Sequence, residues 1–239
     1  MMTDWHSHIL PAMDDGAKTV RDSLAMLSML TTQGIERVCA TPHFYANSDS
    51  VESFLRRRAE AMERLSAQLG EDAPEIILGA EVKYYPGISR MERLDELRVG
   101  DSRMLLLEMP FSRWTEYTQR ELYELSGHGD IKIVLAHIDR YLGMQSGDTW
   151  SRLYECGILM QVNASFVRGL FTRRRAIEML LGHGIHFIGS DCHNTTSRAP
   201  DIGAAYTLIE KKLGSECLDD LRFIGEEMLR GVPSGNILD

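Results

Sequence analysis

The chain has 239 residues, 44% of them apolar, with a net charge of −9 and a pI near 5.4. This length and composition suit a domain with a sizeable core, and the acidic balance argues against nucleic-acid binding. The four cysteines form no CxxC pair, the N-terminus shows no signal peptide, and the apolar runs are shorter than a membrane span. We therefore predict a cytoplasmic protein without membrane insertion, folded as a single domain over residues 1–239.

Short apolar runs alternate along the chain with amphipathic segments of helical period. The predicted strands cover residues 2–5, 37–41, 75–78, 104–108, 132–136, 159–162 and 186–189. The predicted helices cover residues 19–33, 51–69, 114–126, 149–156, 173–182, 202–212 and 215–230. Continuously apolar strands are typical of a parallel sheet covered on both faces. The alternation therefore predicts an α/β fold, either a barrel or a doubly wound sheet.

Polar residues recur where the predicted strands end. Most strands are followed by histidine or carboxylate residues, namely His6, His8, His43, Glu81, Glu108, His137, Asp191 and His193, and an Asp14-Asp15-Gly16 turn lies in the first loop. Barrel enzymes collect their functional side chains at the carboxyl ends of many strands, whereas a doubly wound sheet gathers them at one crevice. The distribution favours a barrel.

One strand-end histidine is more often an ordinary loop residue than a metal ligand. The eight residues above and Asp15 of the turn make nine candidates at one end of the strands, which are not explained in that way. Imidazole and carboxylate ligands without thiolate suit manganese, iron or zinc. Nine candidates exceed what one ion binds, so we expect two or three divalent ions. Glu81 is a candidate bridge between two ions about 3.5–4 Å apart, whose shared water would lose a proton and act as the nucleophile.

Seven motifs in order along the chain resemble the PHP (polymerase and histidinol phosphatase) superfamily, and within it the bacterial CpsB/YwqE type of manganese-dependent protein-tyrosine phosphatase. The segments that carry the resemblance are residues 4–11 (DWHSHILP), 14–17 (DDGA), 40–43 (ATPH), 79–81 (GAE), 107–110 (LEMP), 136–141 (AHIDRY) and 189–194 (GSDCHN). The resemblance implies a distorted (β/α)7 TIM-like barrel that holds three metal ions. It also implies, as substrate, a phosphotyrosine-containing bacterial tyrosine kinase of capsule or exopolysaccharide synthesis, and it leaves a homo-oligomer open.

The resemblance assigns roles to individual residues. One ion would be held by His6, His8, Glu81 and Asp191, and the others by Glu81, Glu108, His137, Asp15 and His43, with His6 or His193 nearby. Asp15 is preferred to Asp14, because the second aspartate of the turn is the ligand in the family. Arg140 and Arg198 match phosphate-binding arginines, and guanidinium groups suit bidentate contacts with phosphate. Asp15 or His193 would protonate the leaving group. The aromatic residues Phe44, Tyr45 and Trp114 are candidates for holding a phenyl ring or for anchoring loops.

Three other functions are compatible with parts of the sequence. Cys192 and Arg198 have the Cys-x5-Arg spacing of thiolate phosphatases, but the five intervening residues lack the glycine that such a phosphate loop needs. A second alternative is a PHP phosphatase for a small metabolite such as histidinol phosphate, or a phosphoesterase acting on nucleic acid. A third is an adaptor stabilised by metal but without catalytic activity.

Overall fold

The computed structural model describes residues 1–231, so residues 232–239 of the predicted domain lie outside the described part. Its strands are β1 (Thr3–Ser7), β2 (Arg37–Ala40), β3 (His43–Phe44), β4 (Glu75–Leu78), β5 (Glu81–Lys83), β6 (Met104–Glu108), β7 (Lys132–Leu135), β8 (Leu159–Asn163) and β9 (Phe187–Gly189). Its α-helices are α1 (Val20–Thr32), α2 (Val51–Ser66), α3 (Glu116–Ser126), α4 (Gly147–Glu155), α5 (Ala164–Arg168), α6 (Arg173–Leu181), α7 (Ile202–Leu213) and α8 (Ser215–Leu229).

The strands form a curled parallel sheet, which confirms the predicted α/β class. Strands β1, β2 and β4 pair in one run, and β3, β5, β6, β7, β8 and β9 pair in another. The two ends of this arrangement meet, because Ser7 pairs with Cys192 just beyond β9. There the Asp191 N–H group donates to the His6 carbonyl at 2.8 Å, and the His8 N–H group donates to the Cys192 carbonyl at 3.0 Å. The first and last predicted strands are therefore neighbours.

Two predicted strands are each followed at once by a further short strand. The second strand is interrupted at Thr41-Pro42 between β2 and β3, and the third is interrupted at Gly79-Ala80 between β4 and β5. Proline has no N–H group to donate to a ladder, so regular pairing stops at Pro42. Pairing resumes when the Glu81 N–H group donates to the Pro42 carbonyl at 3.0 Å. This offset places His43 directly opposite Glu81.

Two helices begin at residues other than the predicted ones, because a capping side chain fixes where each helix starts. Helix α3 starts at Glu116 rather than residue 114 because the Thr115 side chain caps it, and α4 starts at Gly147 because Ser146 caps it. Helix α5 has only five residues, too short to show a period, and was not predicted. No helix within residues 1–231 is both long and apolar enough to span a membrane.

The inside of the curled sheet is apolar at the end where the strands begin. Leu106 of β6 lies in a small inner cluster, whereas its neighbours Leu105 and Leu107 face the larger cluster under the helices, as alternation along a strand requires. The side chains of Trp5 and Phe187 fill the inside of the sheet at this end, with ring centroids 4.9 Å apart. The candidate metal ligands lie at the opposite end, where the strands finish.

Candidate metal centre

The first group of candidate ligands surrounds β1. His6 was predicted to follow the first strand but lies inside β1, and His8 comes two residues later. Both side chains point to the same face. Their Nε2 atoms are 3.2 Å apart. The Oε2 atom of Glu81 lies 3.3 Å and 3.4 Å from these two nitrogens, and the Oδ1 atom of Asp191 lies 3.8 Å and 3.5 Å from them. The four residues predicted to share one ion are thus brought together.

A second group lies next to the first and nearer to solvent. The Oδ1 atom of Asp15 is 3.3 Å from His193 Nε2 and 3.5 Å from His43 Nε2. The His8 and His193 rings are in contact, with centroids 3.9 Å apart and planes inclined by 36°, which joins the two groups. The Asp15 side chain is 62% exposed, so this group forms the mouth of the centre.

The third group extends in the other direction from Glu81. His137 Nε2 is 2.8 Å from Glu81 Oε1 and 3.9 Å from Glu108 Oε1, and His43 Nδ1 is 2.8 Å from Glu81 Oε2. Burial alone would raise the pKa of Glu81, but the surrounding histidines, His6 foremost, hold it well below its ordinary value. The ionised Glu81 carboxylate is therefore the link between the groups.

Three buried polar atoms indicate whether these side chains suit metal ions. Glu81 Oε2, His43 Nδ1 and His193 Nε2 have no partner with hydrogen-bond geometry among the described residues, although His43 Nδ1 lies 2.8 Å from Glu81 Oε2. Polar atoms that are buried without a partner are costly and need an explanation. The distances of 3.2–3.4 Å between the candidate ligand atoms of His6, His8 and Glu81 suit ligands that share one ion with bonds of about 2.1 Å. The residues present therefore fit divalent cations.

Two side chains that the sequence analysis did not select orient the first pair of histidines. The Oδ2 atom of Asp14 lies 2.7 Å from His8 Nδ1, and the Oε1 atom of Gln161 lies 3.4 Å from His6 Nδ1. Acceptors at Nδ1 favour the tautomer that leaves Nε2 free for a metal. The Asp-Asp-Gly turn motif could have identified Asp14 from the sequence, whereas nothing in the local sequence distinguishes Gln161.

His193 and His137 are oriented in a similar way. His193 Nδ1 lies 3.0 Å from the Asp191 carbonyl oxygen, and His137 Nδ1 lies 3.3 Å from the Tyr141 hydroxyl. Burial, aided by the neighbouring His8, lowers the pKa of His193 to about 4. A neutral imidazole is the form that binds a metal, but it is a poor proton donor.

Unusual backbone conformations place two of the strand-end ligands. His137 has φ of 34° and Asp191 has φ of 53°, both in the left-handed region that non-glycine residues seldom adopt. Close contact also explains a glycine in the first loop, since a Cβ atom on Gly16 would lie 2.3 Å from the His8 carbonyl oxygen. The backbone conformation at these residues is therefore set by contacts in the folded structure and not by their own preferences.

The two predicted phosphate-binding arginines lie over the centre. The Arg140 guanidinium contacts Asp191 Oδ2, and Arg198 Nη2 lies 2.8 Å from Asp191 Oδ1. Their side chains remain 33% and 38% exposed. Both line a cavity of about 430 Å³ together with Asp191. They are therefore within reach of an anion that enters above the metal ligands.

The aromatic residues at the mouth differ from those expected. Phe44 and Trp114 are buried and pack in the core, so they are loop anchors. Tyr45 remains 40% exposed beside His43, and Phe111, which was not predicted, is 49% exposed. The Phe111 ring lies 5.4 Å from the Tyr141 ring and 5.6 Å from the Arg140 guanidinium carbon. The half-exposed aromatic surface next to the arginines thus comes from Phe111.

The Cys192 thiol is not placed for nucleophilic catalysis. Its side chain is buried, and burial, with Asp4 nearby, raises its pKa well above the ordinary value. A catalytic cysteine requires an accessible thiolate. The Cys-x5-Arg alternative is therefore contradicted by the structure.

Comparisons with known proteins agree with the motifs. The chain is 31% identical over 222 residues to the tyrosine-protein phosphatase YwqE of Bacillus subtilis, which covers 90% of this chain and 86% of the relative. It is 31% identical over 241 residues to the tyrosine-protein phosphatase CpsB of Streptococcus pneumoniae, covering 92% and 94%. Among solved structures, one from a study of YwqE and CpsB, described there as metal-dependent tyrosine phosphatases, superimposes with a TM-score of 0.83 and 27% identity over 97% of this chain and 96% of the other.

These relatives confirm the resemblance predicted from the motifs. The family of capsular polysaccharide synthesis proteins CpsB/CapC matches residues 2–229, which is nearly the whole sequence. On that extent of similarity, the chain belongs to the CpsB/CapC family.

Proposed function

We propose that this protein is a metal-dependent protein-tyrosine phosphatase that acts in the cytoplasm on a phosphotyrosine-bearing tyrosine kinase of capsule or exopolysaccharide synthesis. The observation that carries the proposal is the convergence of imidazole and carboxylate atoms on Glu81, beneath two exposed arginines. Relatives that are 31% identical over about nine-tenths of the chain are named tyrosine-protein phosphatases.

The architecture supports a seven-stranded interpretation of the sheet as part of this proposal. If β2 with β3, and β4 with β5, each count as one interrupted strand, residues 1–231 contain seven parallel strands in sequence order. The contacts between β1 and the segment after β9 would then close a distorted (β/α)7 barrel. We propose that this barrel is a single domain spanning residues 1–239.

Two or three divalent ions, manganese by preference, would be held by the predicted ligand set. His6, His8, Glu81 and Asp191 would hold one ion, and the remaining ligands, Asp15, His43, Glu108, His137 and His193, would complete the other sites with Glu81. The chemistry that such ions supply when bound is activation of water and stabilisation of negative charge. The protein's part is to supply neutral imidazoles and ionised carboxylates in fixed orientations.

Arg140 and Arg198 would bind the phosphate group. Both guanidinium groups contact Asp191, and a phosphate placed above that carboxylate would accept their free N–H groups in a bidentate manner. Phe111 is positioned beside Arg140 to contact the phenyl ring of the substrate. Asp15 or His193 would protonate the phenolate as it leaves. Because the Cys192 thiol is buried, we expect direct hydrolysis without a phosphoenzyme.

The proposal is tested with protein stripped by a chelator and supplied again with Mn²⁺. We expect hydrolysis of a phosphotyrosine peptide that is lost on stripping, restored by Mn²⁺ and abolished in Glu81→Gln. The matched control is Glu92→Gln, which changes an exposed glutamate outside the centre. The same preparations are given histidinol phosphate and an oligonucleotide. Preferred turnover of either, or peptide turnover that survives chelation, would contradict the proposal.

A further inference from the structure

The turn between α5 and α6, residues 169–172, exposes two large apolar side chains and directly follows Arg168, which lines the cavity that also contains Arg140 and Arg198. Leu170 is 82% exposed and Phe171 is 99% exposed, the highest values among the exposed large apolar side chains of the described residues. Apolar side chains exposed to this degree and next to each other commonly mark a site of interaction. We refer to residues 169–172 as the 169–172 turn.

This turn is held rigidly. The Thr172 hydroxyl donates to the Phe166 carbonyl at 2.6 Å, and the Arg173 N–H group donates to the Gly169 carbonyl at 2.8 Å. The turn also needs glycine, because a Cβ atom on Gly169 would lie 2.3 Å from Thr172 Oγ1. Leu170 and Phe171 are therefore presented outward by a preformed backbone, which reduces the entropy cost of binding a partner.

Positively charged residues flank the 169–172 turn, although the chain as a whole is strongly acidic. Arg168 precedes it, and Arg173, Arg174 and Arg175 follow it. Arg174 pairs with Glu178 at 2.9 Å, but no ion pair within residues 1–231 involves Arg173 or Arg175. The net charge of the whole chain is −9. A local excess of guanidinium groups around two apolar side chains is complementary to a partner that is both acidic and apolar.

The surface is continuous with the phosphate-binding end of the site. Arg168 lines the same cavity of about 430 Å³ as Arg140 and Arg198. Arg168 pairs with Asp201, and its side chain is still 42% exposed. Residues that flank a phosphotyrosine bound in this cavity would therefore lie next to Arg168, and the turn adjoins Arg168 in the chain.

We infer that Arg168, Leu170 and Phe171 form a docking surface for the acidic and apolar residues that flank the phosphotyrosine in a protein substrate. The inference rests on the proposed function and adds a recognition site outside the metal centre. A peptide is favoured over an anionic membrane as the partner, because Arg168 lines the same cavity as Arg140 and Arg198, where the phosphotyrosine of a substrate would bind.

The test compares a peptide with a substrate too small to reach the surface. The peptide carries phosphotyrosine flanked by aspartate, glutamate and leucine, and the small substrate is free phosphotyrosine. In a Leu170→Ser, Phe171→Ser double variant, we expect kcat/KM for the peptide to fall about tenfold through KM, and that for free phosphotyrosine to change by less than about twofold. Arg168→Gln should reduce the preference for acidic over amide-containing peptides. Phe223→Ser is the matched control, because Phe223 is 55% exposed on α8.

A binding measurement separates this inference from the proposed activity. Anisotropy of a labelled peptide with a non-hydrolysable phosphonate should show weaker binding to the double variant whether or not the protein turns over substrate. Equal binding of the wild type and double variant would overturn the docking surface even if the phosphatase activity is found. Absent turnover with retained peptide discrimination would instead overturn the activity alone. Loss of binding to phosphatidylglycerol vesicles in the double variant, with peptide binding intact, would identify a membrane contact and contradict the inference.

Discussion

The Oδ2 atom of Asp14 contacts two histidines of the candidate metal centre. It lies 2.7 Å from His8 Nδ1 and accepts a hydrogen bond from the backbone N–H group of His43 at 2.8 Å. Burial alone would raise the pKa of Asp14, but the hydrogen bond and charge of His8 hold it well below its ordinary value. Burial alone would likewise lower the pKa of His8, which Asp14, Asp191 and Glu81 raise. Asp14 is therefore an ionised partner that orients His8, a candidate metal ligand.

Replacement of Asp14 should weaken metal binding without unfolding the protein. We expect Asp14→Ala to reduce Mn²⁺ affinity about 10- to 100-fold, because His8 loses the acceptor that fixes its tautomer. Asp14→Asn should have a smaller effect, since an amide oxygen still accepts the hydrogen bond. Calorimetric titration of the stripped protein measures the affinity, and circular dichroism checks folding. Asp72→Asn, in an exposed loop, is the control. Unchanged affinity in Asp14→Ala would show that Asp14 has no orienting role.

Substitution of the two arginines should affect phosphate binding rather than metal binding. We expect Arg140→Lys and Arg198→Lys each to lower kcat/KM about 10- to 100-fold, because lysine cannot make the bidentate contact. Inhibition by inorganic phosphate should weaken in parallel, while the metal content measured by mass spectrometry stays the same. Arg90→Lys, at an exposed position, provides the comparison. Loss of metal without loss of phosphate affinity would refute the assignment.

Cys192→Ser distinguishes the metal mechanism from a thiolate mechanism. Because Cys192 is buried, we expect the variant to retain nearly all the activity of the metal-loaded enzyme. A buried hydroxyl in place of the thiol should lower the free energy of unfolding by about 1–3 kcal/mol. Both values are measured on the same preparation, by steady-state turnover and urea denaturation. A folded, metal-loaded Cys192→Ser protein without activity would favour the thiolate.

His186 should make the fold less stable in mild acid. Burial, with Lys132 and His183 nearby, lowers the pKa of His186 from 6.5 to about 4 in the folded protein. Between these pH values the unfolded chain binds more protons, so stability falls as the pH drops below 6.5. From pH 7.5 to pH 5 this contribution is about 2 kcal/mol. The change is measured by urea denaturation at both pH values.

The matched variant for this effect is His186→Asn. The His186 Nδ1 atom accepts the Met160 N–H group at 3.1 Å, and the asparagine oxygen can replace it as acceptor without titrating. The wild type should lose about 2 kcal/mol more than His186→Asn between pH 7.5 and pH 5. Equal losses in the two proteins would show that His186 does not contribute to the acid sensitivity.

Local patterns predicted much of this protein because they follow from short-range physics. The apolar runs marked seven of the described strands to within a few residues at the ends but missed the short strands β3 and β5. The spacing of His6 and His8 predicted that both side chains share one face. The motif order also predicted the family, which the comparisons confirm. The helix starts at Glu116 and Gly147 were missed because capping by Thr115 and Ser146 outweighed the apolar pattern.

The sequence by itself determined the α/β class, the family and the types of side chain available for a metal. Only the tertiary structure decided which atoms meet, because Glu81, His137 and Gln161 are far apart along the chain and are joined by strand pairing. The register of His43 opposite Glu81, the left-handed backbone at Asp191 and the burial of Cys192 all depend on that pairing. The physical reason is that contacts across a parallel sheet are non-local, whereas sequence periodicity reports only on the nearest neighbours in the chain.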